Sequence, residues 1–91
     1  MKTEFRSSFL KAIKKIQDDN LKTDILQSIL NVESVGEIKQ IENLKKLTGH
    51  KNYYRIKIGT YRIGIQIESG VVVFVALAHR KNIYRVFPKS K

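Results

Sequence analysis

Along the first third of the chain, apolar residues recur at helical spacing. Phe9, Ala12, Ile13 and Ile16 share one stripe, with Lys11, Lys14 and Lys15 opposite, which predicts an amphipathic helix. Ser7 or Ser8 is its expected N-cap. The polar run Gln17–Asn20 breaks the pattern. Leu21, Ile25, Ile29 and Val32 then mark a second stripe, widened by Leu26 and Leu30. Two helices joined by so short a link are expected to pack antiparallel, as a helical hairpin. Ser34 and Glu37 have capping-box spacing. Beyond them, Ile38, Ile41, Leu44 and Leu47 fit either a short helix or a packed loop. Met1–Phe5 reads as a short edge strand.

From Asn52 the period changes to two. Tyr54, Ile56 and Ile58 take one face, while Tyr53, Arg55 and Lys57 take the other. Gly59-Thr60 suits a two-residue hairpin turn. After it, Tyr61, Ile63, Ile65 and Ile67 continue the apolar face, and Arg62, Gly64 and Gln66 the opposite one. Ser69-Gly70 is a second hairpin turn. The segment from Val71 to Ala78 is apolar at nearly every position, as in a central strand covered on both faces. The final stretch, HRKNIYRVFPKSK, is expected to leave the sheet, with Pro88 ending regular structure. The expected fold class is therefore α+β. Two N-terminal helices pack on one face of a small twisted antiparallel sheet, within a single domain spanning residues 1–91.

Charge changes this picture more than composition does. Of the formal net charge of +10, residues 1–44 contribute nothing, with seven Lys/Arg against seven Asp/Glu. Residues 45–91 carry eleven Lys/Arg against Glu68 alone. A one-sided cationic field attracts nucleic acid, an anionic membrane or an acidic protein segment. The basic half is also rich in Ile, Val, Tyr and Phe, so the charge is displayed on folded structure. There is no cysteine, which excludes disulfides and thiolate metal sites. No apolar run reaches the roughly 18 residues of a membrane span. The opening MKTEFRSSF lacks a signal peptide's apolar stretch, so a cytoplasmic location is expected.

The usual catalytic sets are missing. His50 and His79 cannot make a three-histidine metal site, and the basic half holds no carboxylate pair for glycosidase-type chemistry. LTGHK lacks the spacing of a phosphate loop. No cofactor is expected. Arg, Lys, Tyr and His remain, and they suit one reaction: RNA cleavage in which the ribose 2′-OH attacks its own adjacent phosphate. The substrate brings the nucleophile. The protein has to hold the phosphate in line, stabilise added negative charge and move protons. Arginine matches phosphate geometry, and a lysine crowded by other cations is a candidate base. Metal should be unnecessary, because side chains supply the positive charge. An alternating solvated strand would look similar in Arg55, Lys57 and Arg62. What counts against that reading is the lack of acids to offset like-charge repulsion.

YRIKIGTYRIG (54–64) and HRKNIYRVFP (79–88), with the two preceding helices, resemble the RelE/ParE superfamily of bacterial toxins over nearly the whole chain. The resemblance implies a twisted antiparallel sheet with two N-terminal helices. It also implies the toxin of a type II toxin–antitoxin pair, held by an acidic RelB-like antitoxin. The RelE-like branch cleaves mRNA in the ribosomal A site; the ParE-like branch instead poisons DNA gyrase. By position, Arg55 and Lys57 match the basic pair that contacts and activates the scissile phosphate. Arg62 matches an arginine that binds it. Arg80 matches a transition-state stabiliser and possible proton donor, and Tyr84 a tyrosine that stacks on a base. Position 55 is Arg where well-known members have Lys, which makes Lys57 the better base candidate. Tyr84 stands closer to Arg80 than in some members, which leaves His79 as another proton-transfer candidate. Lys45, Lys46, Lys51, Lys81 and Arg85 are expected to add general attraction for RNA. A basic nucleic-acid-binding module without chemistry is the remaining alternative.

Overall fold

Five strands form one sheet in a computed structural model that describes residues 1–88. β1 (Lys2–Phe5), β2 (Leu44–Lys46), β3 (Tyr53–Ile58), β4 (Tyr61–Glu68) and β5 (Val71–His79) lie in the order β1-β5-β4-β3-β2. Helices α1 (Ser7–Lys14) and α2 (Asp19–Ser34) come before β2, and a one-turn helix, α3 (Ile83–Val86), follows β5. The α+β class is as expected, with β3, β4 and β5 as an antiparallel meander. The sheet is wider than that meander. β2 pairs antiparallel with β3, and β1 runs parallel to β5, so the sheet is mixed at one edge. The ambiguous stretch 38–47 is neither a continuous helix nor a loop. It holds one 3-10 turn, Ile38–Gln40, and then β2. Three residues are too few for a period to show, and β2 is a strand because β3 offers it a hydrogen-bonding edge.

The turns follow the sequence. Ser69 and Gly70 both have positive φ (51° and 78°), the conformation that a twisted two-residue hairpin favours. At the other hairpin Gly59 has φ 56° and Thr60 does not. The helix caps differ from expectation. α1 begins after Arg6, which makes no side-chain capping bond, and Ser7 and Ser8 are already helical. Asp18 caps α2, its Oδ1 accepting from the amides of Asn20 (2.9 Å) and Leu21 (3.2 Å). The capping box belongs to Glu37 and Gln40 on the 3-10 turn; Ser34 instead donates to the Asn31 carbonyl.

One face of the sheet carries the main core. Ile56, Ile63, Ile65, Val72 and Phe74 are fully buried there against Phe9, Ile25 and Val32 from the helices. Each such side chain contributes about 1.5–3 kcal/mol on burial. α1 packs on β5, while α2 reaches β1 and β3. Phe74 stacks on Phe5 with ring centroids 5.0 Å apart and meets Phe9 at 5.3 Å.

A bulge on β5 rearranges the other face. Gly64 pairs with Ala76 and Ile65 with Phe74, so the register skips Val75. The Val75 carbonyl accepts instead from the Ser8 hydroxyl. Beyond the bulge the alternation of β5 is offset, which puts Ala76 on the face away from the helices and Leu77 toward them. Small residues there make room for the C-terminal segment. Contrary to expectation, that segment returns to the sheet: Ile83 and Phe87 are buried with Ala76 and Leu47 in a second apolar cluster. Phe87 lies directly on Gly64, where a Cβ would collide with its ring, and also meets Tyr53 at 5.4 Å.

Gly64→Ala should therefore force Phe87 off the sheet. The expected loss, by overpacking, is about 1–3 kcal/mol in urea unfolding. An unchanged midpoint would show that the tail does not need this contact.

A cationic sheet face as candidate nucleic-acid interface

The β3–β4 register sets Lys57 directly opposite Arg62 and Arg55 opposite Gly64. On the outer side, Lys45 of β2 stands opposite Arg55. Opposed residues share a face, as do residues two apart on one strand. Lys45, Arg55, Lys57 and Arg62 thus gather on the face turned away from α1 and α2. The matching β5 positions are Ala76 and Ala78, so the cations border a floor of small side chains.

No carboxylate balances them. The one side-chain ion pair among the described residues is Lys39–Glu37, at 3.6 Å. Backbone carbonyls do part of that work instead. Arg62 Nη1 donates to the carbonyls of Gly59 and Tyr61, both at 2.9 Å. Arg55 Nη1 donates to the Asn43 carbonyl at 3.2 Å. Both arginines are half-buried, whereas Lys57 is exposed. The turn that anchors Arg62 also holds the next cation, since the Arg80 amide donates to the Thr60 carbonyl at 2.8 Å. Like charges opposed across a strand pair repel. A bound anion would relieve that repulsion, and phosphate suits the arginine forks. Beside Lys57, a cleft of ≈ 600 Å³ opens between α2 and the β3–β4 turn.

A family model described as the ParE toxin of a type II toxin–antitoxin system matches residues 3–84. The chain belongs to the RelE/ParE superfamily of toxins. It is 37% identical to Toxin RelE3 of Methanocaldococcus jannaschii over 90 residues, 97% of this chain and 100% of that protein. It is also similar to a chain of the RelB–RelE antitoxin–toxin complex from Methanococcus jannaschii, with a TM-score of 0.79 and 32% identity over 93% of this chain and 99% of that one. The isolated E. coli RelE toxin shares the fold, with a TM-score of 0.66 at 18% identity over 94% and 98% of the two chains.

In this RelE/ParE-superfamily toxin the expected site residues do not all meet. Arg55, Lys57 and Arg62 share one face, and Arg80 is exposed at the rim beside their hairpin turn. Tyr84 is 65% exposed on α3, so its ring is not packed under the tail, and a base could reach it. His79 is different. It pairs with Tyr61, one residue out of phase with Arg62, and its ring meets Tyr61 edge-on at 5.6 Å. Its Nδ1 accepts from the Lys81 amide at 3.1 Å, a local turn contact. Lys46, Lys51, Lys81 and Arg85 are exposed. Lys46 stands opposite Tyr54, whose ring packs on the helix-side core, so it takes that face and not the cationic one. Lys45 sits closer than general attraction requires, directly beside Arg55. Sequence reasoning missed that place because β2 has no pattern of its own. Asn43 was also missed. Its carbonyl holds Arg55, and its only signal was an Asn next to polar Glu42, consistent with its left-handed φ of 63°.

Lys57→Gln should raise stability by about 0.2–1 kcal/mol, since it removes one member of a like-charge pair. High salt should shrink the gain. Urea midpoints at low and high ionic strength test this, and a salt-independent or negative change would exclude repulsion as the cause.

Proposed function

We propose that this toxin is a ribosome-dependent mRNA endoribonuclease, acting in the cytoplasm as a single domain over residues 1–91. The observation that carries the reading is the direct opposition of Lys57 and Arg62, with Arg55 two pairs further along on the same face and no acid to neutralise them among the described residues. In the proposed reaction the 2′-oxygen attacks phosphorus. The O2′–P bond forms, the P–O5′ bond breaks, and the products carry a 2′,3′-cyclic phosphate and a 5′-hydroxyl. Lys57 accepts the 2′-OH proton. Arg62 and Arg55 grip the phosphate oxygens and stabilise their added charge. Arg80, at the exposed rim, neutralises charge building on the leaving 5′-oxygen, which takes its proton from a solvent water there; the proton held by Lys57 returns to solvent after cleavage. Tyr84 stacks on a neighbouring base. Lys45 extends the phosphate track, while Lys46, Lys51, Lys81 and Arg85 attract RNA without regard to sequence. His79, whose ring meets Tyr61, is assigned no step in this scheme.

A RelB-like antitoxin of acidic character is the proposed partner, by likeness to the RelB–RelE complex and by charge. Among the described residues, no helix is long and apolar enough to cross a membrane. A second reading has its own support, because the matching family model is a ParE toxin. It casts the chain as a gyrase poison with no chemistry.

Mapping mRNA 5′ ends on translating ribosomes after induction separates the two readings. Cleavage within A-site codons is expected, and a 2′-deoxy nucleotide at the cut should abolish it. Arg62→Ala and Arg80→Ala should each lower cleavage by about a hundredfold or more while the protein stays folded. Intact mRNA with DNA-damage signalling would instead favour the gyrase reading.

A further inference from the structure

We infer that Asn31, on α2, is a positioning residue for Arg55. This rests on the endoribonuclease reading of the site and extends it to a residue that touches no substrate. Three hydrogen bonds carry the argument. Asn31 Oδ1 accepts from the Glu42 amide at 3.1 Å. The next residue, Asn43, turns its carbonyl to two donors at once. One is the Lys57 amide at 3.1 Å, which ties the turn to β3. The other is Arg55 Nη1 at 3.2 Å. A carbonyl oxygen has two lone pairs, so a single acceptor can serve both. Where that carbonyl sits therefore decides where the Arg55 guanidinium sits.

The turn has little else to hold it on its outer side. Glu42 and Asn43 are both exposed. The cleft of ≈ 600 Å³ that they line with Asn31 and Lys57 leaves space for them to shift. Ile41, 5% exposed, anchors the chain just before them. Asn43 adds a constraint of its own with φ 63°, a conformation that Asn tolerates better than most residues. Among the described residues, the Asn31 side chain is the one group of α2 that pins this turn by a hydrogen bond. It links the scaffold helix to a cation on the opposite side of the sheet. An arginine held in this way meets the phosphate in one orientation instead of searching for it, and small misplacements of such a group are costly to rate.

A double-mutant cycle on translating ribosomes tests the inference. Asn31→Ala should slow single-turnover mRNA cleavage by about tenfold or more, with ribosome affinity changed by less than about twofold. Asn31→Asp retains an acceptor for the Glu42 amide and should restore most of the rate. In an Arg55→Ala background, Asn31→Ala should change the rate by less than about twofold, because the group it positions is gone. An equal loss in both backgrounds would overturn the inference, as would full activity of Asn31→Ala. A second measurement does not depend on catalysis. The NMR order of the Arg55 side-chain N–H groups should fall in Asn31→Ala and recover in Asn31→Asp. If the wild-type protein leaves mRNA intact, the functional reading fails while this measurement still decides the positioning role. Unchanged order would refute that role.

Discussion

The two-residue turn at Gly59-Thr60 sets the register on which the site depends. It joins Ile58 to Tyr61 as partners and so places Ile56 on Ile63 and Lys57 on Arg62. A slip of one residue would send the isoleucines of β4 into solvent and its arginine into the core. The hydrophobic core therefore enforces the cationic pairing. The same turn accepts the Arg62 guanidinium at Gly59 and the Arg80 amide at Thr60. Three requirements meet in two residues: a hairpin, an arginine anchor and a link to the end of β5.

The sheet is covered on both faces by different means. Helices cover one, with isoleucines and phenylalanines in a continuous core. On the other, the C-terminal segment lays Ile83 and Phe87 over part of the face and leaves the rest to the cations. The bulge at Val75 makes this division possible. It shifts the alternation of β5 so that Ala76 and Ala78 face outward beside Gly64, a floor low enough for an aromatic ring at one end and open at the other. The bulge's loose carbonyl is satisfied by Ser8, so the irregularity is built into the packing of α1.

Opposed cations without counter-charges work against folding, yet they recur here in two neighbouring pairs, Lys45 with Arg55 and Lys57 with Arg62. Backbone carbonyls take up the arginine donors without cancelling their charge. The result is a surface that is orderly but electrostatically unsatisfied, and a polyanion or an acidic protein segment would complete it. That bias agrees with the membership of this chain in a toxin superfamily.

Much of this was legible in the residues themselves. The helical stripes around Phe9 and Ile25, the alternation of β3 and β4, and both hairpin turns are local patterns, each written within a dozen residues. So is the separation of charge, which marked Arg55, Lys57 and Arg62 as one surface. What the tertiary structure decided is non-local. Leu44–Lys46 is a strand only because β3 lies beside it, and that pairing alone brings Lys45 to Arg55. β1 finds a parallel partner 69 residues away, from Lys2 to Val71. The tail returns because Gly64 leaves a space the size of Phe87. His79 shares the face of Tyr61, not that of Arg62, because one bulge offsets a strand whose sequence is nearly all apolar and so hides its own phase. Period and charge can be read from one segment at a time, whereas partners, phase and the hold of Asn43 on Arg55 exist only once distant segments have packed.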